Sequence, residues 1–334
     1  MSLIIPENYS TPLDNYDMQN AIDKIRANFQ NELSKALNLK RVSAPLFVRK
    51  NIGINDDLTG KERPVSFDIP ALDSEVEVVQ SLAKWKRVAL KRYNFHDYKG
   101  LWTDMNAIRR DEQLDNLHSI YVDQWDWEKV ITKDERTLDY LFDTVRKIHE
   151  VILITAQELN KKYPSTNINL NKEIHFVNSA DLIDEYPGLD AKQREYEIVR
   201  KYKAVFIYGI GYKLKDGYPH DLRSSDYDDW NLNGDLLYYD ELLDIALELS
   251  SMGIRVDKDS LAKQLKEANE EYKTKFTYHK MILNDELPLT IGGGIGESRL
   301  CMLLMNKVHI GEVQSSIWDE ETLKLAKEKG VIIL

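Results

Sequence analysis

An α+β fold, mainly antiparallel β-sheet flanked by helices, is the class this sequence predicts, on three observations. Strand-like runs cluster without the regular βαβ alternation that a parallel sheet needs. Several of them carry period-two patterns, as does the run that places Ile120, Val122, Gln124 and Asp126 on one face. Between the clusters lie segments whose apolar residues recur at helical spacing. The 334 residues are 43% hydrophobic and 30% charged, which is enough for a large core. The 15 Gly and 9 Pro are scattered rather than gathered into a linker, so a single domain over 1–334 is expected.

Taken in order, residues 16–39 place Met18, Ile22, Ile25, Phe29, Leu33 and Leu37 on one stripe, which predicts a long amphipathic helix. A short strand over 41–47 follows, limited by Pro45. Further strands are expected at 65–69, 76–79, 119–127, 173–177, 204–208, 235–239, 247–251 and 288–292. Helices are expected at 82–93, 135–163, 191–202, 259–283, 296–305 and 320–327.

Composition excludes several function classes. With 45 basic against 56 acidic side chains, the net charge of -11 argues against broad binding to nucleic acid or an anionic membrane. No run approaches the roughly 18 apolar residues of a membrane helix. The N-terminus, Met1-Ser2-Leu3-Ile4-Ile5-Pro6, has no basic region followed by an apolar one, so a cytoplasmic protein is expected. A lone cysteine, Cys301, excludes an internal disulfide and a cysteine zinc cluster. The seven histidines show no i, i+4 pair, which disfavours a histidine metal site.

Four constellations could carry chemistry. Strand 119–128 runs from apolar Ile120 and Val122 to Gln124 and Asp126 on one face, suiting a ligand with a ring at one end and an ammonium at the other. An edge strand with a solvated end fits the same pattern. Upstream, Arg109-Arg110-Asp111-Glu112 can offer a planar guanidinium to phosphate, although paired arginines also serve as surface charge. Asp235 and Glu248 on neighbouring strands could hold Mg²⁺ with few protein oxygens, and Arg255 would add a cation nearby; strand-end acids beside Lys or Arg are the simpler alternative. Finally, Gly292-Gly293-Gly294-Ile295-Gly296-Glu297-Ser298-Arg299 joins a strand to a helix, where backbone and ligand can approach closely. It lacks the Gly-Lys-Ser/Thr of a P-loop.

In order, these segments resemble the three motifs of the class II aminoacyl-tRNA synthetase catalytic domain. The first helix and the strand ending at Pro45 look like the dimer-forming motif 1, Arg109–Glu112 with the next strand like motif 2, and Gly292–Arg299 like motif 3. Gln80-Ser81-Leu82-Ala83-Lys84-Trp85-Lys86, Gln124-Trp125-Asp126 and the Glu248-to-Arg255 spacing resemble the aspartate- and asparagine-specific members. No anticodon-binding domain is expected before Tyr16. Together with Asp226-Tyr227-Asp228-Asp229-Trp230 and Leu249–Val256, the chain is similar to the ammonia-dependent asparagine synthetase (aspartate–ammonia ligase) family over nearly its whole length.

That resemblance implies ATP-dependent amidation of L-aspartate by ammonia through β-aspartyl-AMP, in a cytoplasmic homodimer that uses Mg²⁺ and no nucleic acid. It implies that Arg109 contacts the α-phosphate and that Arg299 stacks on adenine while neutralising phosphate charge. Asp235 and Glu248 would hold Mg²⁺; Lys86 and Arg255 would bind aspartate's carboxylates, and Gln124 and Asp126 its amino end, with Ser81 and Ser251 also at the substrate. Val122 stands where the tRNA ligases carry an aromatic residue, so adenine would lie between Val122, Ile295 and the Arg299 guanidinium. Asp56 and Asp228 are candidates to attract ammonium and accept its proton, although a turn Asp capping local amides suits Asp56 nearly as well. Residue 2 is Ser and the only Cys falls in an apolar helix, so free ammonia, not glutamine, is the expected nitrogen source. A stand-alone aspartyl-adenylate-forming paralogue and a non-catalytic amino-acid-binding regulator are the competing readings.

Overall fold

The computed structural model describes residues 3–11 and 13–334, so Ser2 lies outside the described residues. Helix α1 (Asn15–Leu37) begins at Asp14, whose carboxylate accepts the Asp17 amide, and ends where Asn38 turns left-handed at φ 58°. Its apolar stripe, Met18 through Leu37, is buried within this chain, largely against α3 (Leu138–Lys162).

Among the described residues an eight-stranded sheet has the order β1-β5-β6-β11-β10-β9-β8-β7. Its strands are β1 (Leu39–Arg41), β5 (Gly100–Ile108), β6 (Tyr121–Val130), β7 (His175–Asn178), β8 (Ala204–Tyr208), β9 (Asp228–Asp240), β10 (Ile245–Arg255) and β11 (Thr290–Gly296). Only the outermost pairs, β1–β5 and β7–β8, are parallel. A separate three-stranded antiparallel sheet contains β2 (Phe47–Arg49), β3 (Ser66–Ile69) and β4 (Ser74–Val78) in the order β2-β4-β3. The α+β architecture expected from the sequence is the one observed.

The sheet has two chemically different faces. Behind it, Trp125, Trp127, Ile291, Ile295, Met252, Ile254, Leu236 and Tyr238 join the stripes of α1 and α3 and helix α8 (Glu297–Leu304) in the main core. Trp125 stacks on Phe29 with ring centroids 4.5 Å apart. On the front face, α2 (Ala83–Arg92) covers β6 and β11. Helices α4 (Ser179–Glu185) and α5 (Ala191–Tyr202) cover the other end of the sheet, packing on Val205, Ile207 and Leu237. The cleft lies between them.

Three local expectations need correction. The strand expected over 41–47 is two short strands in different sheets: β1 pairs with β5, and after Pro45 the chain enters the small sheet as β2. The helix expected over 259–283 is broken into α6 (Lys258–Glu267) and α7 (Thr277–Leu283), because Asn269 adopts a left-handed φ of 56° and ends the first. Strand β5 was not foreseen. Gly100 through Thr103 are all buried, and such a run shows no two-residue alternation.

Candidate active site

The floor of the cleft follows from strand pleating. On β6 the even residues Val122, Gln124, Asp126 and Glu128 face forward while Trp125 and Trp127 face the core. Neighbouring β11 pairs Gly292 with Glu128, Gly294 with Asp126 and Gly296 with Gln124, so its forward positions carry no side chains. A Cβ on Gly294 would stand 2.5 Å from Gln124 Oε1, and one on Gly292 would collide with the Glu128 carboxylate. The glycines leave room for the side chains of β6.

On β10 a bulge decides which groups face the cleft. Ser251 pairs with Asp235 and Arg255 with Asp228, but Glu248 pairs with Leu237 while Ser250 pairs with Leu236. The extra residue, Leu249, changes the parity of the strand. Glu248 therefore shares the forward face with Ser251 and Arg255, although seven positions separate it from Arg255 and a regular strand would oppose them.

A buried charge cluster occupies the α2 end. The Lys86 ammonium, fully buried, pairs with Asp126 and donates to the Gly293 carbonyl at 2.9 Å. Arg255 donates Nε (3.0 Å) and Nη2 (2.8 Å) to Glu128 and Nη1 to Asp228. Glu128 also accepts the Thr290 hydroxyl at 2.7 Å. Burial opposes the charge of Glu128, yet the adjacent Arg255 outweighs it and holds this carboxylate below its ordinary range. For Asp228 burial wins, and its pKa is raised. Burial likewise lowers the Lys86 pKa, against the pull of Asp126. Next to this cluster Asp56 accepts the Ser81 hydroxyl at 2.7 Å and the Leu58 amide at 2.9 Å, so it caps a turn and also borders the cleft.

Toward the other end of the floor, Arg109 leaves β5 half-buried with its Nε unpartnered, whereas Arg110 is exposed. Arg299, in the first turn of α8, donates Nη1 to the Glu248 carbonyl at 3.0 Å. Asp235 lies on the floor behind Arg223, which ion-pairs with its Oδ2 while Oδ1 is buried without a partner. Burial, reinforced by Glu248, raises the Asp235 pKa to about 7 despite Arg223.

Twelve of the residues singled out by sequence thus line one cleft of about 320 Å³: Asp56, Ser81, Lys86, Arg109, Val122, Gln124, Asp126, Asp228, Glu248, Ser251, Arg255 and Arg299. Ile295 does not belong with them. Its side chain is wholly buried in the main core, because alternation along β11 sends 295 to the opposite face from 294 and 296. It cannot form an adenine wall. Asp235 reaches the cleft only through Arg223. Sequence reasoning missed Glu128, Arg223 and Asp123; only Glu128 had a signal, as the next even position after Asp126.

Behind the floor, Asp123 accepts the Ser298 hydroxyl at 2.7 Å and an Arg26 Nη2 at 3.1 Å, joining α1, β6 and the start of α8. Glu297 lies 3.5 Å from the Arg26 Nε, and burial, with Asp123 close by, raises its pKa to about 8. Between an unfolded value near 4.5 and about 8 the folded state therefore holds the extra proton, so this group's contribution to stability falls as pH rises through that window. Glu297→Gln should melt progressively higher than the parent as pH is raised from 5 to 8. Parallel melting curves across that range would refute the assignment.

Comparison with known proteins places the chain. The aspartate-ammonia ligase family model matches residues 16–330. The chain is 55% identical to the aspartate–ammonia ligase of Clostridium tetani over 99% of its own length and 98% of that protein. It is also 55% identical to that of Ligilactobacillus salivarius, with both chains fully covered. Among solved structures it resembles the asparaginyl-tRNA synthetase of Pyrococcus horikoshii complexed with asparaginyl-adenylate, at 14% identity and TM-score 0.66, over 90% of this chain and 68% of that one. The aspartyl-tRNA synthetase of Entamoeba histolytica matches at 14% identity and TM-score 0.59, over 94% and 64%. These last two show a shared fold, a class II synthetase-like catalytic architecture. By sequence, the chain belongs to the aspartate–ammonia ligase family.

Proposed function

We propose that this protein converts L-aspartate and free ammonia to L-asparagine at the expense of ATP, through β-aspartyl-AMP, releasing AMP and pyrophosphate. One observation carries the reading: four cations share one cleft, Lys86 and Arg255 suited to carboxylates and Arg109 and Arg299 suited to phosphate. A carboxylate is a poor acyl donor until it carries a leaving group. An oxygen of aspartate's side chain attacks the α-phosphorus, and the bond from that phosphorus to pyrophosphate breaks. Ammonia then adds at the acyl carbon, and the bond to AMP breaks. Phosphoryl transfer of this kind requires positioning and charge neutralisation more than a protein nucleophile.

In this reading Lys86 and Arg255 receive the carboxylates of aspartate, beside Ser81 and Ser251. Gln124 and Asp126 receive its ammonium; Asp126 Oδ2 is buried without a partner and can accept it. The unpartnered Arg109 Nε suits the α-phosphate. Arg299 and Val122 bracket the base. Asp56 and Asp228 border the cleft as acceptors for the proton that ammonium must lose. Among the described residues no group of three or more His, Cys, Asp or Glu could hold a metal alone. In this reading the orphaned Asp235 Oδ1 and the Glu248 carboxylate would hold a hard cation completed by phosphate oxygens, beside the Arg223 guanidinium that ion-pairs with Asp235 Oδ2. Mg²⁺ bound there would neutralise phosphate charge.

Cys301 is fully buried and burial raises its thiol pKa to about 12, which disfavours a glutamine-hydrolysing nucleophile. No helix among the described residues is long and apolar enough to cross a membrane. The homodimer implied by the motif 1 likeness would have to use surfaces other than the α1 stripe, which the core consumes. Incubation with ATP, Mg²⁺, aspartate and ammonium tests the reading. Asparagine with AMP is expected, and no asparagine when glutamine replaces ammonium. Adenylate without asparagine would favour a stand-alone adenylate-forming enzyme, and neither product an amino-acid-binding regulator.

A further inference from the structure

The side chain of Gln314 is 3% exposed, lines the cleft with Val122, Leu117, Ile310 and Arg299, and has a free valence the reaction scheme does not use. Its Nε2 donates to Asp123 Oδ1 and to Ser298 Oγ, both at 3.1 Å. Its Oε1 is buried with no partner. The orientation of the amide is dictated by its neighbours. Asp123 already accepts from Arg26, the Ser298 amide and the Ser298 hydroxyl, so it is a carboxylate acceptor and the NH₂ must face it. A flipped amide would set Oε1 against that carboxylate.

An orphaned acceptor fixed at the edge of a slot with aliphatic walls and a guanidinium calls for a donor on a flat, apolar ligand. We propose that Gln314 Oε1 accepts the 6-amino group of the adenine base and makes this site discriminate ATP from 6-oxo purine nucleotides. The inference rests on the reading of the cleft as an ATP site. Gln314 is on this account a specificity-determining residue, held in one orientation by Asp123 and Ser298. A 6-oxo purine would bring a carbonyl oxygen against Oε1, and the amide cannot turn to accommodate it without facing Asp123.

Binding of three Mg²⁺-nucleotides, measured calorimetrically on the full chain, tests this: ATP, inosine triphosphate with a 6-oxo group, and purine riboside triphosphate with no 6-substituent. For the parent protein, loss of the amino group should weaken binding about three- to tenfold, the worth of one hydrogen bond. Inosine triphosphate should be weaker still, since it adds repulsion to the loss. Gln314→Met keeps the volume and removes the acceptor, so its preference for ATP over inosine triphosphate should fall to within about twofold. A general loosening of the site would weaken all three nucleotides together and leave that ratio intact. An unchanged ratio in the variant overturns the proposal. If the variant does not fold, the parent series decides alone, and equal affinity for ATP and purine riboside triphosphate overturns it. Binding of none of the three would instead overturn the ATP reading itself.

Discussion

Arg299→Ala should abolish adenylate formation while the protein stays folded. The guanidinium makes one hydrogen bond to the protein, to the Glu248 carbonyl, and it lines the cleft instead of the core. Losing that bond costs about 1 kcal/mol of stability. On the proposed reading Arg299 also neutralises phosphate charge in a low-dielectric cleft, and losing that costs far more in rate, on the order of 10³-fold. Aspartate-dependent exchange of labelled pyrophosphate into ATP, read beside a melting curve, separates the two effects. Near-normal exchange in a folded variant would show that the nucleotide does not lie across Arg299.

Glu128→Ala is expected to be the most damaging change to the floor. It removes the carboxylate that takes two nitrogens of Arg255 and the Thr290 hydroxyl, and leaves a buried guanidinium with Asp228 as its remaining partner. Breaking a buried pair from one side costs about 3–5 kcal/mol, so the melting temperature should drop by several degrees. Glu128→Gln keeps the volume and loses the charge. Its expected signature is a raised KM for aspartate with the KM for ATP little altered, because Arg255 lies at the opposite end of the floor from Arg299. Equal effects on both KM values would argue that Glu128 supports the sheet as a whole rather than orienting Arg255.

Much of this was legible in the chain. The alternation from Ile120 to Asp126 put Val122, Gln124 and Asp126 on one face, and the described strand keeps them there. The stripe on residues 18–37 foretold a helix that ends where Asn38 turns left-handed. What escaped was either parity or long-range pairing. Ile295 was assigned to the nucleotide by resemblance, yet counting by twos from Gly294 sends it into the core. Glu128 continues the series 122, 124, 126, but its partner Arg255 lies 127 positions away and no local pattern announces that pair. Asp123 and Gln314 are 191 positions apart, and no local pattern announces their bond. The first half of strand β5 carries no alternation because it is buried on both sides.

The additional residue at Leu249 has a consequence for how this segment can vary. Because it inverts the facing of everything on one side of it, the spacing between Glu248 and Arg255 behaves like a gear tooth: composition can drift, but length cannot. Deleting or inserting a single residue there would rotate the acid away from the cleft into a hydrocarbon interior and expose an aliphatic chain in its place, although every amino acid named above would still be present.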